Sequence, residues 1–200
     1  MNLVGIVGTN SERSTNRKLL RFMAEHFAPQ AAIEVLEIKD LPAFDEPENK
    51  TAPAAVTAFS KKIAAADGVI IATPEYNHTI PAPLASALEW IAYTSRVLVN
   101  KPVMIVGCSL GALGTSRAQA HLRQILDAPE LKARVMPGTE FFLGHSEHVL
   151  DDDFNLNNPE KVAELEEHFT EFQDFVTITN QIVKQADTDR KKAFVWEAGE

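Results

Sequence analysis

Three stretches of this chain carry residue types able to hold a small anionic or aromatic ligand. The first is Gly8-Thr9-Asn10-Ser11-Glu12-Arg13-Ser14-Thr15-Asn16. Its hydroxyls and amides stand where a helical pattern begins. Free backbone N–H groups at a helix start, together with the positive end of the helix dipole, favour an anion. Thr9, Ser11, Ser14 and Thr15 can donate to phosphate oxygens, and Arg13 adds a positive charge. The stretch contains neither Gly-x-x-x-x-Gly-Lys-Ser/Thr nor Gly-x-Gly-x-x-Gly, so it is not a nucleoside-triphosphate loop or a dinucleotide fingerprint. A terminal phosphate monoester suits it better than a pyrophosphate. Taken alone, the same residues read equally as an N-cap and turn.

The second stretch is Thr73-Pro74-Glu75-Tyr76-Asn77-His78-Thr79-Ile80-Pro81. Pro74 holds its predecessor extended. The segment then offers backbone amides, an aromatic ring and the Asn77 amide, a set that can bond the polar edge of a flat heterocycle. A proline-bounded surface turn is the equal alternative. The third stretch, Cys108-Ser109-Leu110-Gly111-Ala112-Leu113-Gly114-Thr115-Ser116-Arg117, has two glycines that let a backbone approach a ligand closely. On its own it is also an ordinary flexible loop.

The elements that must position these stretches can be read from apolar periodicity. Near-continuous apolar runs predict buried strands at 3–7, 33–38, 68–72 and 102–107, with a weaker one at 133–136. Helical spacing predicts helices at 15–27, 53–66, 84–93 and 116–126. The last helix is the clearest. Asn158 reads as N-cap and Pro159 as its first residue, and Val162, Leu165, Phe169, Phe172, Val176, Thr179 and Val183 follow in alternating steps of three and four. Strict β-α alternation predicts an α/β fold with right-handed crossovers, an open doubly wound five-stranded parallel sheet. In such sheets ligands bind beyond the carboxyl ends of the strands. All three stretches follow strands and so fall at one edge. Two long loops are expected, at 40–53 and 137–158, and residues 184–200 read as a polar tail after one domain at 1–183.

Composition narrows the function classes. The chain has 200 residues, 28 acids and 19 Lys/Arg, for a net charge of −9. No basic stripe is present, so no nucleic-acid partner and no anionic membrane surface is expected. The single cysteine, Cys108, allows no internal disulfide. No apolar run approaches the ~20 residues of a membrane helix, and no signal peptide is read, so a cytoplasmic location is expected. His145 and His148 lack a third metal-ligand partner, and no metal site is expected. Cys108 reads as a small buried hydrophobe.

Together these residues resemble the NAD(P)H-dependent FMN reductases of flavodoxin-like fold, which include small quinone, azo-dye and chromate reductases. The family's first loop is similar to Gly-Ser-x-Arg-x-x-Ser-x-Asn. Thr9, Ser14 and Asn16 fall on its serine, serine and asparagine, Ser11 stands at the arginine position, and Arg13 follows two residues on. Pro74-Glu75-Tyr76-Asn77 matches the family's Pro-Glu-Tyr-Asn intact, and the helix behind it ends in Glu89-Trp90 as there. Ala82, Ala85 and Ser86 replace that helix's usual Gly, Lys and Asn. The run from Ser109 to Ala118 is similar to the family's Gly-rich loop, with Thr115 where a second glycine is common.

The resemblance implies strand order 2-1-3-4-5 and FMN as cofactor. The FMN phosphate is implied at Thr9, Ser11, Arg13, Ser14, Thr15 and Asn16. The ring is implied between Pro74, Glu75, Tyr76 and Asn77 on one side and Ser109, Gly111 and Gly114 on the other. NADPH or NADH is the implied co-substrate and a small molecule the electron acceptor, in a homodimer or homotetramer. Hydride would pass to flavin N5 in a ping-pong cycle, so no catalytic acid or base is assigned. The backbone N–H groups of residues 75–77 are expected to face the pyrimidine edge. Two other readings stay open: a flavodoxin-type electron-transfer module without nicotinamide turnover, and a non-flavin phosphate-ligand binder.

Overall fold

The structure is a computed structural model and describes residues 1–138 and 140–185. Its centre is a parallel sheet. Strands β1 (Asn2–Val7), β2 (Ala32–Glu37), β3 (Gly68–Ala72), β4 (Pro102–Cys108) and β5 (Arg134–Val135) lie in the order β2-β1-β3-β4-β5. β3 and β4 are buried along their whole length, as expected for strands covered on both faces. Register is continuous from strand to strand: Leu3 lies beside Ile33 and Gly68, and Val69 beside Val103.

The side-chain period of two along β1 sorts the core into two layers. Leu3 and Val7 join Leu19, Leu20 and Met23 of α1 (Thr15–His26) with Leu165, Phe169 and Phe172 of α6 (Pro159–Gln185). Val4 and Ile6 join Ile63 of α2 (Ala54–Ala65), Leu84 and Leu88 of α3 (Ala82–Trp90), and Leu122 of α4 (Ser116–Leu126). The predicted face of the last helix is the buried one, and Phe169 stacks on Phe27 with ring centroids 3.8 Å apart. The Asn158 side chain accepts from Lys161 N at 3.1 Å, which closes the expected cap.

Two elements differ from the pattern expected from the sequence. The fifth strand position is shared by two short strands. β5 pairs with Pro102 and Val103, and β6 (Phe141–Leu143) pairs in parallel with Val106, Gly107 and Cys108. Pro137 and Gly138 interrupt the strand between them: proline has no N–H for the ladder, and Gly138 sits at φ +74°. The expected loop at 137–158 therefore contains β6 and a short helix, α5 (Ser146–Val149). In addition, the third helix begins at Ala82, and after Trp90 the chain widens into a π-helical turn (Ile91–Ser95).

The proline-rich loop at 40–53 is strapped onto this last segment. Trp90 Nε1 donates to Pro42 O at 2.9 Å, Ser86 Oγ accepts from Phe44 N at 2.8 Å, and the Phe44 ring meets Trp90 and Tyr93 edge-on. The strap covers one flank of α3, whose first turn follows the 73–81 loop. No helix among the described residues is long and apolar enough to cross a membrane.

Candidate active site

The carboxyl ends of β1, β3 and β4 bring the three loops to one edge of the sheet. Between them lies a cleft of about 350 Å³, within the usual range for small-ligand sites. The first loop contributes Ser11, Arg13, Ser14, Thr15 and Asn16 to its wall; the second contributes Pro74, Glu75 and Tyr76; the third contributes Ser109, Leu110 and Gly111, with Cys108 beneath. Thr9, Asn77 and Gly114 do not line it. A wider groove of about 570 Å³ bears Arg123, Asp127, Arg134 and Phe175. It lies by the start of β5, away from all three loops.

The first loop is built to turn sharply into α1. Thr9 is buried, and its Oγ1 accepts from Ser11 N at 3.2 Å. Ser14 is the N-cap, with its Oγ accepting from Arg17 N at 3.2 Å. Asn16 is buried and makes a two-way amide bridge to β4: Nδ2 donates to Cys108 O at 2.9 Å, and Oδ1 accepts from Cys108 N at 3.0 Å. The Asn16 side chain therefore ties the helix start to the strand end. Arg13 makes no ion pair among the described residues. Burial pushes the Cys108 thiol up to about 12, partly countered by hydrogen bonds with Thr15 and Ser146. Cys108 is thus a neutral thiol at physiological pH rather than a nucleophile.

In the second loop, Tyr76 and Thr79 exchange backbone hydrogen bonds of 3.0 and 3.1 Å. Asn77 and His78 both take positive φ, 52° and 66°, as a tight two-residue hairpin turn requires. Because Tyr76 N donates to Thr79 O, it is taken from the three donors expected at residues 75–77; the N–H groups of Glu75 and Asn77 have no acceptor among the described residues, and of these two residues only Glu75 lines the cleft. Glu75 reaches sideways to α4. Its Oε2 accepts from Arg117 N at 3.0 Å and Ala118 N at 3.3 Å, and its Oε1 pairs with Arg117 Nη1 at 3.0 Å. The Thr79 hydroxyl bonds His121 Nδ1 on the same helix.

The third loop is pinned from both sides. Ser109 Oγ donates to Gly111 O at 2.9 Å and accepts from Gly114 N at 3.0 Å. His145 N donates to Gly111 O and Ser146 N to Ser109 O, so the segment after β6 holds the loop from behind. Gly114 stands at φ +55°, followed by Thr115 at +69°. Gln119, which the sequence reading missed, secures this pair: its Nε2 donates to Phe141 O at 2.9 Å and Thr115 Oγ1 at 3.2 Å and approaches Gly114 O at 3.4 Å.

Arg17 was missed as well. It is buried, with Nε and Nη2 donating to the two carboxylate oxygens of Glu37 at 2.6 and 2.8 Å, and Nη1 donating to Ser11 O at 2.7 Å and Glu12 O at 3.1 Å. Both residues look like surface charges in the sequence, and only the packing of α1 on the end of β2 brings them together.

Two helices, α1 and α4, begin directly after the first and third loops, and their N-termini differ. That of α4 is neutralised by the chain's own Glu75 carboxylate. That of α1 is open, and beside it the backbone N–H groups of Glu12 and Arg13 have no acceptor among the described residues. This donor set fits a dianionic phosphate monoester. Tyr76 and Leu110, 49% and 60% exposed, stand on either side of the cleft. A Cβ on Gly111 would meet nothing within 4 Å, so the backbone of the third loop is uncrowded there. The residues present fit FMN.

Fold and site together define a protein of flavodoxin-like architecture whose cleft fits FMN. Residues 1–148 match the family model described as NADPH-dependent FMN reductase, and the chain belongs to that family. It is 55% identical over 201 residues to the NADH:(hydroxy)cinnamate reductase subunit CrdA of Vibrio ruber, covering 100% of both chains. It is 43% identical to the NADH-dependent flavin reductase subunit 2 of Lactobacillus johnsonii, over 88% of this chain and 97% of that one. Identity to a quinone reductase of Escherichia coli is 34%, over 76% of this chain and 81% of that one. Among solved structures, the flavoenzyme NAD(P)H:(acceptor) oxidoreductase FerB of Paracoccus denitrificans shares the fold with a TM-score of 0.79 at 24% identity, over 89% of this chain and 98% of that one.

Proposed function

We propose that this chain oxidises NADH at FMN held in the cleft and hands the electrons to a small acceptor, in a ping-pong cycle. The observation that carries the reading is the convergence of three loops on one cleft whose wall includes the start of α1, beside which the Glu12 and Arg13 N–H groups have no acceptor among the described residues. The phosphate of FMN is assigned to Thr9–Asn16, with Ser11, Arg13, Ser14 and Thr15 in reach and Thr9 and Asn16 shaping the turn. The ring is assigned between 74–77 and 109–114. When bound, FMN supplies the redox centre, taking hydride at N5 and returning the electrons to the acceptor.

The protein's own part is orientation and electrostatics. With FMN bound, the Glu75 N–H group would face the ring edge on which negative charge develops on reduction. The Glu75 side chain holds that loop against α4, and Gly111, without a side chain, would leave the ring face accessible to the nicotinamide. No side chain is needed as an acid or base for hydride transfer.

NADH is favoured over NADPH because the relatives at 55% and 43% identity are both named for NADH. The acceptor is a quinone, a flavin, an azo compound or a metal oxyanion. Both of those relatives are also named as subunits, which supports a second reading in which the electrons pass to a partner chain. We assign residues 1–183 to one reductase domain, working in the cytoplasm as a homodimer or homotetramer. The expected tail at 184–200 lies, from residue 186 on, outside the described residues.

The test is an absorption spectrum of the purified protein reconstituted with FMN, followed by anaerobic addition of NADH or NADPH. Bleaching of the flavin band, faster with NADH, is expected. A bound flavin that stays oxidised with both nucleotides would favour an electron-transfer module. Failure to bind FMN at all would return the cleft to a different phosphate ligand.

A further inference from the structure

The Arg17 guanidinium touches none of the cleft surface, yet it holds two carbonyl groups of the loop that forms the cleft wall. Nη1 donates to Ser11 O and Glu12 O, while Nε and Nη2 donate to the Glu37 carboxylate at the end of β2. Every peptide bond described is trans. In a trans peptide the carbonyl of one residue and the N–H of the next point in opposite directions. Fixing the carbonyls of Ser11 and Glu12 on the buried guanidinium therefore turns the N–H groups of Glu12 and Arg13 away from it, to the side where Ser11, Arg13 and Ser14 line the cleft. Neither amide has an acceptor among the described residues. The charge of Arg17 is balanced by Glu37, so its influence on an anion in the cleft is geometric rather than coulombic.

We propose that Arg17, braced by Glu37, is a positioning residue that turns the Glu12 and Arg13 amides outward to recognise the phosphate monoester of the cofactor. This rests on the assignment of FMN to the cleft. It assigns the loop's selectivity to a residue outside the loop, and it requires that the five-donor fork of an arginine be present, since a lysine cannot serve a carboxylate bidentately and two carbonyls at once.

The test compares FMN with riboflavin, which shares the ring and lacks the phosphate. Binding of each is followed by quenching of flavin fluorescence in wild type, Arg17→Met, Arg17→Lys and Glu37→Gln. Wild type is expected to prefer FMN. Arg17→Met is expected to weaken FMN binding about tenfold or more, the scale of losing hydrogen bonds to a charged group, while riboflavin binding moves less than about twofold on the same scale. Arg17→Lys is expected to behave like Arg17→Met, and Glu37→Gln to fall between it and wild type.

Equal weakening of both flavins would mean that Arg17 merely stabilises the fold, and no change in either would mean that the loop holds its shape unaided. Both results overturn the proposal. If Arg17→Met does not fold, Glu37→Gln decides alone: an unchanged FMN-to-riboflavin ratio overturns the proposal, and a reduced one supports it. A wild type that binds neither flavin sinks the cofactor assignment itself, a result separate from any of these.

Discussion

The carboxylate of Glu75 caps the helix that starts at Ser116 and pairs with the side chain of Arg117 on that helix. One residue of the second loop thereby fixes the start of the helix that follows the third loop. The two walls of the cleft are joined by a charge-assisted contact between residues 42 positions apart. The Glu75 side chain is only 11% exposed, while that of Arg117 is 48% exposed. Most of the value therefore lies in the bonds from the two backbone N–H groups, which a neutral or truncated side chain cannot make as well.

Glu75→Ala is expected to destabilise the protein by about 1–2 kcal/mol, the usual cost of a lost cap, and to weaken FMN binding. Arg117→Ala is expected to cost less than about 1 kcal/mol, because it removes only the half-exposed partner. Urea melts of the two variants check this. Equal losses would show that the pair acts through the guanidinium instead of the helix end.

Cys108 is expected to be inert in the folded state. Its thiol is held up to about 12 by burial, so at pH 8 a thiol reagent should label it only after unfolding. The sign for stability follows from the same shift. The unfolded thiol ionises near its ordinary value of about 8.5 while the native one does not, so the contribution of Cys108 is complete below that pH and is lost as the pH rises above it. Wild type should therefore lose stability more steeply than Cys108→Ala between about pH 8.5 and 10. Rapid labelling of the native protein would refute the buried-thiol account.

How far the sequence revealed the site depends on which kind of contact is asked about. The three loops were legible because parallel strands must send their carboxyl ends to one edge, and strand positions show as apolar runs. The buried face of α6 was legible for the same reason, as a repeat of three and four from Val162 to Val183. The contacts that fix the loops were not. Arg17 and Glu37, Glu75 and Arg117, and Asn16 and Cys108 are pairs set by packing between elements, and no periodicity marks them. β6 escaped because three residues after Pro137-Gly138 give no period to detect, although Phe141 is fully buried.

Asp151 should leave a signature in acid. It accepts from the backbone N–H of Asn155 and from the side chains of Asn155 and Asn157, and these bonds hold its carboxyl down to about 2. A depressed native value means that the stabilising contribution is complete above the ordinary carboxyl range near 3.9 and is lost as pH falls toward about 2. Between about pH 4 and 2, wild type should therefore lose stability more steeply than Asp151→Asn. Thermal melts across that window measure the difference. Parallel curves would show that the turn between Leu150 and Leu156 forms without the charge.

Two glycines at the end of β4 and in the loop after it should respond oppositely to the same substitution. A Cβ on Gly107 would stand 1.8 Å from Thr115 Oγ1 and 2.8 Å from Thr73 O. Thr115 is buried and held by Gln119, so it cannot withdraw. Gly107→Ala is therefore expected to cost about 2 kcal/mol or more, the scale of overpacking in a dense core, and to disturb the turn through Gly114. Gly111→Ala meets no atom within 4 Å, and its melting temperature should stay within about 1–2 °C of wild type, as for a neutral surface change. If the flavin ring lies against residue 111, that harmless methyl group will nonetheless weaken FMN binding several-fold. Titration of FMN into Gly111→Ala thus reports on the ring position separately from the fold. Wild-type affinity in that variant would move the ring away from the third loop, whereas a loss of affinity at unchanged stability would fix it there.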